Sequence, residues 1–270
     1  MSFGEHLIIS LPELDIILAL HSCDYSTERT KNVIDLNYTL RTLLTFYQNR
    51  IITKSLKTAF HTWLMTPLLV RTTKGYQAIY CQLINPDPAA FNYSDVIRAF
   101  VMMLDLWQYE EGTVPGVAVV VNMANVSLGH LSRIDLNVAQ QFFYFLQEAM
   151  YVRLKEFHFI NAPSFMDRLV GMVRPFMKKE MLDMLLIHQA GAGTLEEYLP
   201  RDALPSDAGG KNEHSSVLRD EMWHKIENNN NFFEEESKKR VDESKRAGGP
   251  KSLNSFFSGI ESSFKRLEID

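Results

Sequence analysis

The segment from Arg153 to Gly210 constrains the fold of this chain more than any other. It reads RLKEFHFINAPSFMDRLVGMVRPFMKKEMLDMLLIHQAGAGTLEEYLPRDALPSDAGG. The run Phe157 to Ile160 is short and bulky, as a buried strand is, and Asn161-Ala-Pro163 stops it. A helix is predicted next, with Pro163 in its first turn, where a missing N–H leaves nothing unsatisfied. Ser164 and Asp167 have the spacing of a capping box. Phe165, Leu169, Met172 and Phe176 recur at helical spacing, flanked by Met166, Val170, Val173 and Met177, so the apolar face is wider than one neighbour needs. A second strand precedes the Gly-Gly turn, and two strands joined through a helix make a βαβ unit. Pro175 removes one backbone hydrogen bond from that helix, which should kink or end there, so Gly171 and Pro175 are the candidate hinge.

The flanking sequence extends the same pattern. Tyr76 to Leu83 is rich in strand formers and is followed by a turn at Asn85-Pro-Asp-Pro88 and a helix from about Ser94 to Tyr109. Gly116 to Met123 is a valine run, which is how a parallel strand buried on both faces reads. A long helix is predicted to open at Ser132 with Asp135 as its capping partner. It carries Leu136, Phe143 and Met150 on one side and Phe142, Phe145 and Leu146 on the other. Strand and helix alternate, which favours a mainly parallel sheet covered by helices. Leu11 to about Thr66 has a helical pattern with few strand signals, the pattern of a small cap.

After Gly210 the composition shifts. A peripheral helix around Trp223 is expected, then a polar run from Asn228 to Asn231 and a solvated linker from Glu234 to Arg246. Phe256, Phe257, Ile260, Phe264 and Leu267 share one helical face at the end, which docks back on the domain or lies on a membrane surface.

Composition sets the outer limits. The chain has 270 residues, 46% of them hydrophobic, enough for one α/β domain with a smaller appendage. A net charge of −5 argues against nucleic-acid binding, which needs surplus Lys and Arg to displace counterions. No apolar run reaches the length of a membrane span, and the N-terminal stretch makes a poor secretory signal. Cys23 and Cys81 lack metal-ligand spacing and read as free thiols in a reducing cytosol. None of the common nucleophile, zinc or phosphate-loop motifs is present, and His158 reads as a satisfied core residue.

FHFINAPSF, VRPFM, EYLPRDALP and Gly209-Gly210, in that order, resemble the CRAL-TRIO lipid-binding family, and the similarity extends upstream through GVAVVVNMANVSLGHLSRI. The resemblance implies an α/β fold, a mainly parallel sheet flanked by helices with a lipid cavity under a mobile helix, plus a small N-terminal helical cap. It places the cap at residues 1–66, shortened relative to the family, the lipid-binding domain at 67–226, and a polar linker with an amphipathic segment at 227–270. It assigns the cavity to Met103, Val117, Val121, Phe142, Phe145, Leu146, Met150, Leu154 and Phe157, and the lid to Phe165, Leu169 and Val173. Arg153, Lys155, Lys178 and Lys179 become the candidates for a phosphoinositide or other membrane headgroup, although Glu180 and Met184 stand where relatives carry basic side chains. Asn122, Tyr151 and Ala208 also depart from the family pattern.

The implied function is transfer of a tocopherol, retinoid or similar isoprenoid lipid between membranes, with phosphoinositide-assisted release. No catalytic residue, metal or cofactor other than the bound lipophilic ligand is expected, and the protein would be a cytoplasmic monomer, peripheral at membranes. The alternative is a lipid-sensing regulatory or interaction module in membrane trafficking.

Overall fold

The valine run forms the centre of the sheet in a computed structural model that describes residue 6, residues 11–48 and residues 50–257. Along the chain, α1 (Glu13–Ser22), α2 (Thr27–Leu43), α3 (Thr45–Gln48) and α4 (Lys54–Thr62) precede β1 (Trp63–Pro67) and β2 (Gln77–Leu83). Next come α5 (Tyr93–Glu111), β3 (Val117–Asn122), α6 (Leu128–Leu131), α7 (Leu136–Glu148) and β4 (Leu154–Ala162). Beyond them are α8 (Met166–Val173), α9 (Lys179–Leu182), β5 (Leu185–Gln189), α10 (Ser215–Asn228), α11 (Asn230–Ser237) and α12 (Leu253–Phe257).

The strands lie in the order β1-β2-β3-β4-β5, with β1 antiparallel at the edge and the rest parallel. Crossovers between neighbouring parallel strands are right-handed, so successive connections fall on one face. Side chains alternate accordingly. Ile79, Cys81, Val117, Val119 and Phe157 join the helical core, whereas Ala78, Tyr80, Val120 and Ile160 pack under the loops that carry Leu195, Leu199 and Leu204. Those loops need the Gly-Gly turn: a Cβ on Gly210 would lie 1.9 Å from the Leu204 carbonyl oxygen.

Several boundaries differ from the expected ones. Trp63–Pro67 is a strand paired with Ile79–Leu83, although the region up to Thr66 reads as helical. Leu40, Leu44, Phe46 and Tyr47 share one core with the sheet, so apolar packing runs through the expected cap boundary. The long helix starts at Leu136, with Asp135 itself accepting from the Asn137 and Val138 amides, while Ser132 closes the short α6. No Ser164–Asp167 capping box forms: α8 starts at Met166, whose amide bonds the Pro163 carbonyl at 3.0 Å, and Phe165 caps it without a side-chain bond. The helix ends before Pro175, which sits in the 3-10 turn Arg174–Phe176. Asn161 takes a left-handed φ of 52°, which Asn tolerates better than most residues, as β4 ends.

Nor is Glu234–Arg246 a solvated linker. Phe233, Glu236 and Val241 are buried, because Glu236 reaches Arg41 and Lys239 in an ionic network under α2. Phe256 and Phe257 of α12 dock on Tyr144 of α7, with ring centroids 5.8 and 5.3 Å away, while Ile260, Phe264 and Leu267 lie outside the described residues.

Candidate functional site

A cavity of about 190 Å³ separates the sheet from its helices. Its floor is Met65 of β1, Cys81 of β2, Val119 and Val121 of β3, and Phe157 and Phe159 of β4. The first turns of α5 supply Val96, Ile97 and Phe100, and α7 supplies Phe142, Phe143 and Leu146. Leu169 and Val173 of α8 close it on the remaining side, with His130, Leu131 and Ile134 beside them. The space therefore opens toward the carboxyl ends of the parallel strands, where ligands of open α/β sheets bind.

The wall carries no formal charge at neutral pH. Burial pushes the Cys81 thiol up to about 12 and raises the Tyr93 phenol. Burial, and secondarily Arg133, lowers the His130 imidazole. A charged group would find no counterion here, whereas an apolar one gains about 25 cal/mol per Å² removed from water. The volume slightly exceeds the roughly 150 Å³ of an engineered cavity that accepts benzene. The space is therefore about the size of a single ring.

Motion of α8 is permitted on one side and restrained on the other. Gly171 is exposed, with nothing within 4 Å of where a Cβ would stand, and Pro175 is exposed in the turn that follows. Gln147 of α7 then clamps the chain, donating to the Phe176 carbonyl at 2.9 Å and accepting from the Lys178 amide at 2.7 Å. At the other end Met166 packs with Met123 and Ala162. Helix α8 is thus short and amphipathic, held at both ends and only half-buried between them.

Val121, Phe142, Leu146, Phe157, Leu169 and Val173 converge on the cavity. Met103, Val117, Phe145, Met150, Leu154 and Phe165 are not part of its wall. Met103 lies farther along α5, and Val117 pairs with Leu154 at the start of its strand, toward the opposite end of the sheet. Phe145 meets Phe46 and Tyr47, with ring centroids 6.4 and 5.0 Å away, so α3 fills the space expected for ligand. Met150 follows α7 and Phe165 precedes α8. Apart from Phe165, which follows the carboxyl end of β4, the residues outside the wall lie toward the amino ends of the strands.

Some lining residues had a readable signal. Phe159 shares a face with Phe157 by strand alternation, and Val119 stands midway between Val117 and Val121 on the same face. Trp63 and Met65 were hidden by the helical reading of their segment, and His130 by lying on α6, whose four residues are too few to show a periodicity.

The candidate headgroup cations are mostly engaged. Arg153 pairs with Asp24 at 2.9 Å, Lys179 with Asp183 at 2.5 Å, and Lys178 with Glu148. Lys155, Lys178 and Lys179 are exposed. Exposed pairs of this kind are weak, so a phosphate can compete for them. On the other face His158 is fully buried, with Nδ1 3.0 Å from His188 Nε2 and Nε2 3.3 Å from Glu156. No helix among the described residues is long and apolar enough to cross a membrane.

The sequence is similar to the protein named Alpha-tocopherol transfer protein-like from Homo sapiens, 29% identical over 131 residues, or 47% of this chain and 38% of that one. Clavesin-2 from Rattus norvegicus is 21% identical over 189 residues, 68% of this chain and 58% of the relative. The aligned stretch thus spans less than two thirds of either relative's length. A solved structure titled "Crystal structure of Sfh5" superposes with a TM-score of 0.49 and 13% identity over 74% of each chain. The CRAL/TRIO domain profile matches residues 64–210, more than half of the sequence, and the chain belongs to the CRAL/TRIO domain family, whose members are non-catalytic lipid-binding modules.

Proposed function

We propose that this protein withdraws a small hydrophobic ligand, a tocopherol, retinoid or similar isoprenoid lipid, from one membrane and delivers it to another. The uncharged apolar cavity closed by α8 carries this reading. A ligand inside escapes water, and it leaves when the lid opens against a bilayer whose interior offers equal burial, so transfer needs little net driving force. The exposed Lys155, Lys178 and Lys179, with Arg153, would face anionic headgroups, and phosphoinositides would favour release by drawing these cations from their present partners. The name of the human relative supports a tocopherol-like ligand, and the size of the closed cavity favours a ring with a chain that displaces the lid.

Native mass spectrometry of the purified protein, with organic extraction of what co-purifies, tests the proposal. One lipophilic species near one per chain is expected, absent from Leu146→Trp, whose indole would fill the cavity. Transfer to acceptor vesicles should speed up with phosphatidylinositol bisphosphate, and the gain should vanish in Lys178→Glu/Lys179→Glu. A chain that stays empty in mixed-lipid vesicles overturns the proposal. One that binds lipid but retains it before acceptor vesicles would be a lipid sensor.

A further inference from the structure

The wall of the cavity contains one polar feature that apolar packing leaves unexplained. His130 on α6 is 2% exposed and lines the cavity. Its Nδ1 lies 3.1 Å from the Ser127 amide nitrogen and 2.9 Å from Ser127 Oγ. An amide can only donate, so Nδ1 must accept, and the neutral ring carries its proton on Nε2. Burial, then Arg133, lowers the pKa of the ring, which keeps it neutral. Nε2–H is buried and has no hydrogen-bond partner.

Among the described residues that line the cavity, no other side-chain nitrogen or oxygen is buried and unpartnered. The neighbouring Phe91 ring crosses the imidazole at 76°, 5.5 Å between centroids, and offers no oxygen. A buried donor left unsatisfied is costly, and native structures rarely accept one without a use.

We infer that His130 Nε2–H is the anchor for an uncharged oxygen, a hydroxyl, aldehyde or ether, at one end of the ligand. The inference rests on the cavity being a ligand site and narrows what that site accepts. Apolar walls discriminate by shape and size, whereas a single fixed donor selects an acceptor at one place. A carboxylate is disfavoured, because a neutral donor does not offset the desolvation of a full charge. A plain hydrocarbon would fill the same volume and leave Nε2–H unpaired. His130 would therefore set both the chemistry and the orientation of the ligand, oxygen toward α6 and hydrocarbon toward the lid.

The test uses geraniol, a monoterpene alcohol, and myrcene, the hydrocarbon of equal carbon count, each delivered from cyclodextrin to the full chain. Calorimetric affinities are compared between the wild type and His130→Leu. Geraniol should bind about tenfold more weakly to the variant, while myrcene holds its affinity or gains, since a net hydrogen bond with relief of an orphan donor has that size. Equal losses for both ligands, or none for either, would overturn the anchor.

His130→Leu also removes the bond from Ser127, so wild-type protein supplies a second readout that needs no variant. The ¹⁵N-labelled Nε2–H resonance should move downfield with geraniol and stay in place with myrcene; identical spectra would overturn the proposal. If myrcene binds and geraniol does not, the anchor fails while the cavity stands. If neither binds the wild type, the cavity reading fails and the anchor with it.

Discussion

The two ends of α5 are built from opposite chemistry. Its first turns give Val96, Ile97 and Phe100 to a neutral cavity, whereas farther on Asp105 lies among buried charges. Arg41 donates to Asp105 and to Glu236, both at 2.9 Å, and its Nε donates to Asn37 at 2.8 Å. Arg50 takes the second oxygen of Asp105. Lys239 bridges Asp15 at 2.7 Å and Glu236 at 2.5 Å, and the Tyr38 hydroxyl donates to Asp15 at 2.8 Å. Burial alone would raise the Asp105 carboxyl, but Arg41 and Arg50 hold it below its ordinary value.

Charges buried this way have few acceptable arrangements, because each must keep its partners to offset desolvation. Apolar side chains tolerate repacking as long as volume is kept. The ionic end thus holds α1, α2, α5 and α11 in one geometry, and the apolar end can rearrange around whatever enters it. The proposed carrier function needs both, since a lid would move usefully only against a frame that does not.

The largest break in that comparison should come from Asp105→Ala, which leaves Arg41 and Arg50 facing each other. Urea unfolding should show a loss of about 3–5 kcal/mol. A loss below about 1 kcal/mol would mean that the charges are solvated and the ionic end is no frame.

At the apolar end Leu146→Trp should cost only about 1–3 kcal/mol by the same measurement, because the void absorbs part of the indole, while ligand uptake disappears. Loss of uptake with no binding defect in Asp105→Ala would separate the two ends cleanly.

Acid should act on the fold in two steps. Burial lowers the pKa of His130, His158 and His188 in the folded chain, so below about pH 6.5 the unfolded chain takes up protons that the native state refuses. Their contribution is complete above that pH and is lost as pH falls toward the depressed values. Asp35, Asp105, Asp207 and Glu243, all held below ordinary carboxylate values, add a second loss at lower pH. Thermal melts across this range should show a shallow decline and then a steep one. A flat profile from neutrality down to the carboxylate range would contradict the histidine assignments.

The smallest effect belongs to the lid. Gly171→Ala should raise stability by up to about 1 kcal/mol, since the site is helical, exposed and has room for a methyl group. Stopped-flow transfer to vesicles should slow as the helix stiffens, and unchanged kinetics would remove Gly171 from the hinge.

Much of this was legible before any coordinates. The valines of β3, the bulky run of β4 and the Gly-Gly turn announce themselves through period and composition, because strand burial and tight turns restrict side chains locally. Pro175 ends α8 for an equally local reason. Four of the nine expected cavity residues and two of the three expected lid residues line the actual space, and apart from Phe165 those that do not lie toward the other end of the same strands and helices. Phe142 and Phe145 look alike in the sequence; they differ because Phe46 and Tyr47 arrive from α3 to cover Phe145. Glu236 looked like part of a solvated stretch because its partner Arg41 is 195 residues away.

By itself, then, the sequence determined the alternation of strand and helix, the family motifs and the greasy faces that had to be buried, since each depends on neighbours a few residues apart. Only the tertiary structure decided where those faces fail to meet, which charges are shared at the other end of α5, and that one nitrogen of His130 is left without a partner. A cavity is a property of surfaces from distant segments that do not touch, and no local pattern records an absence of contact.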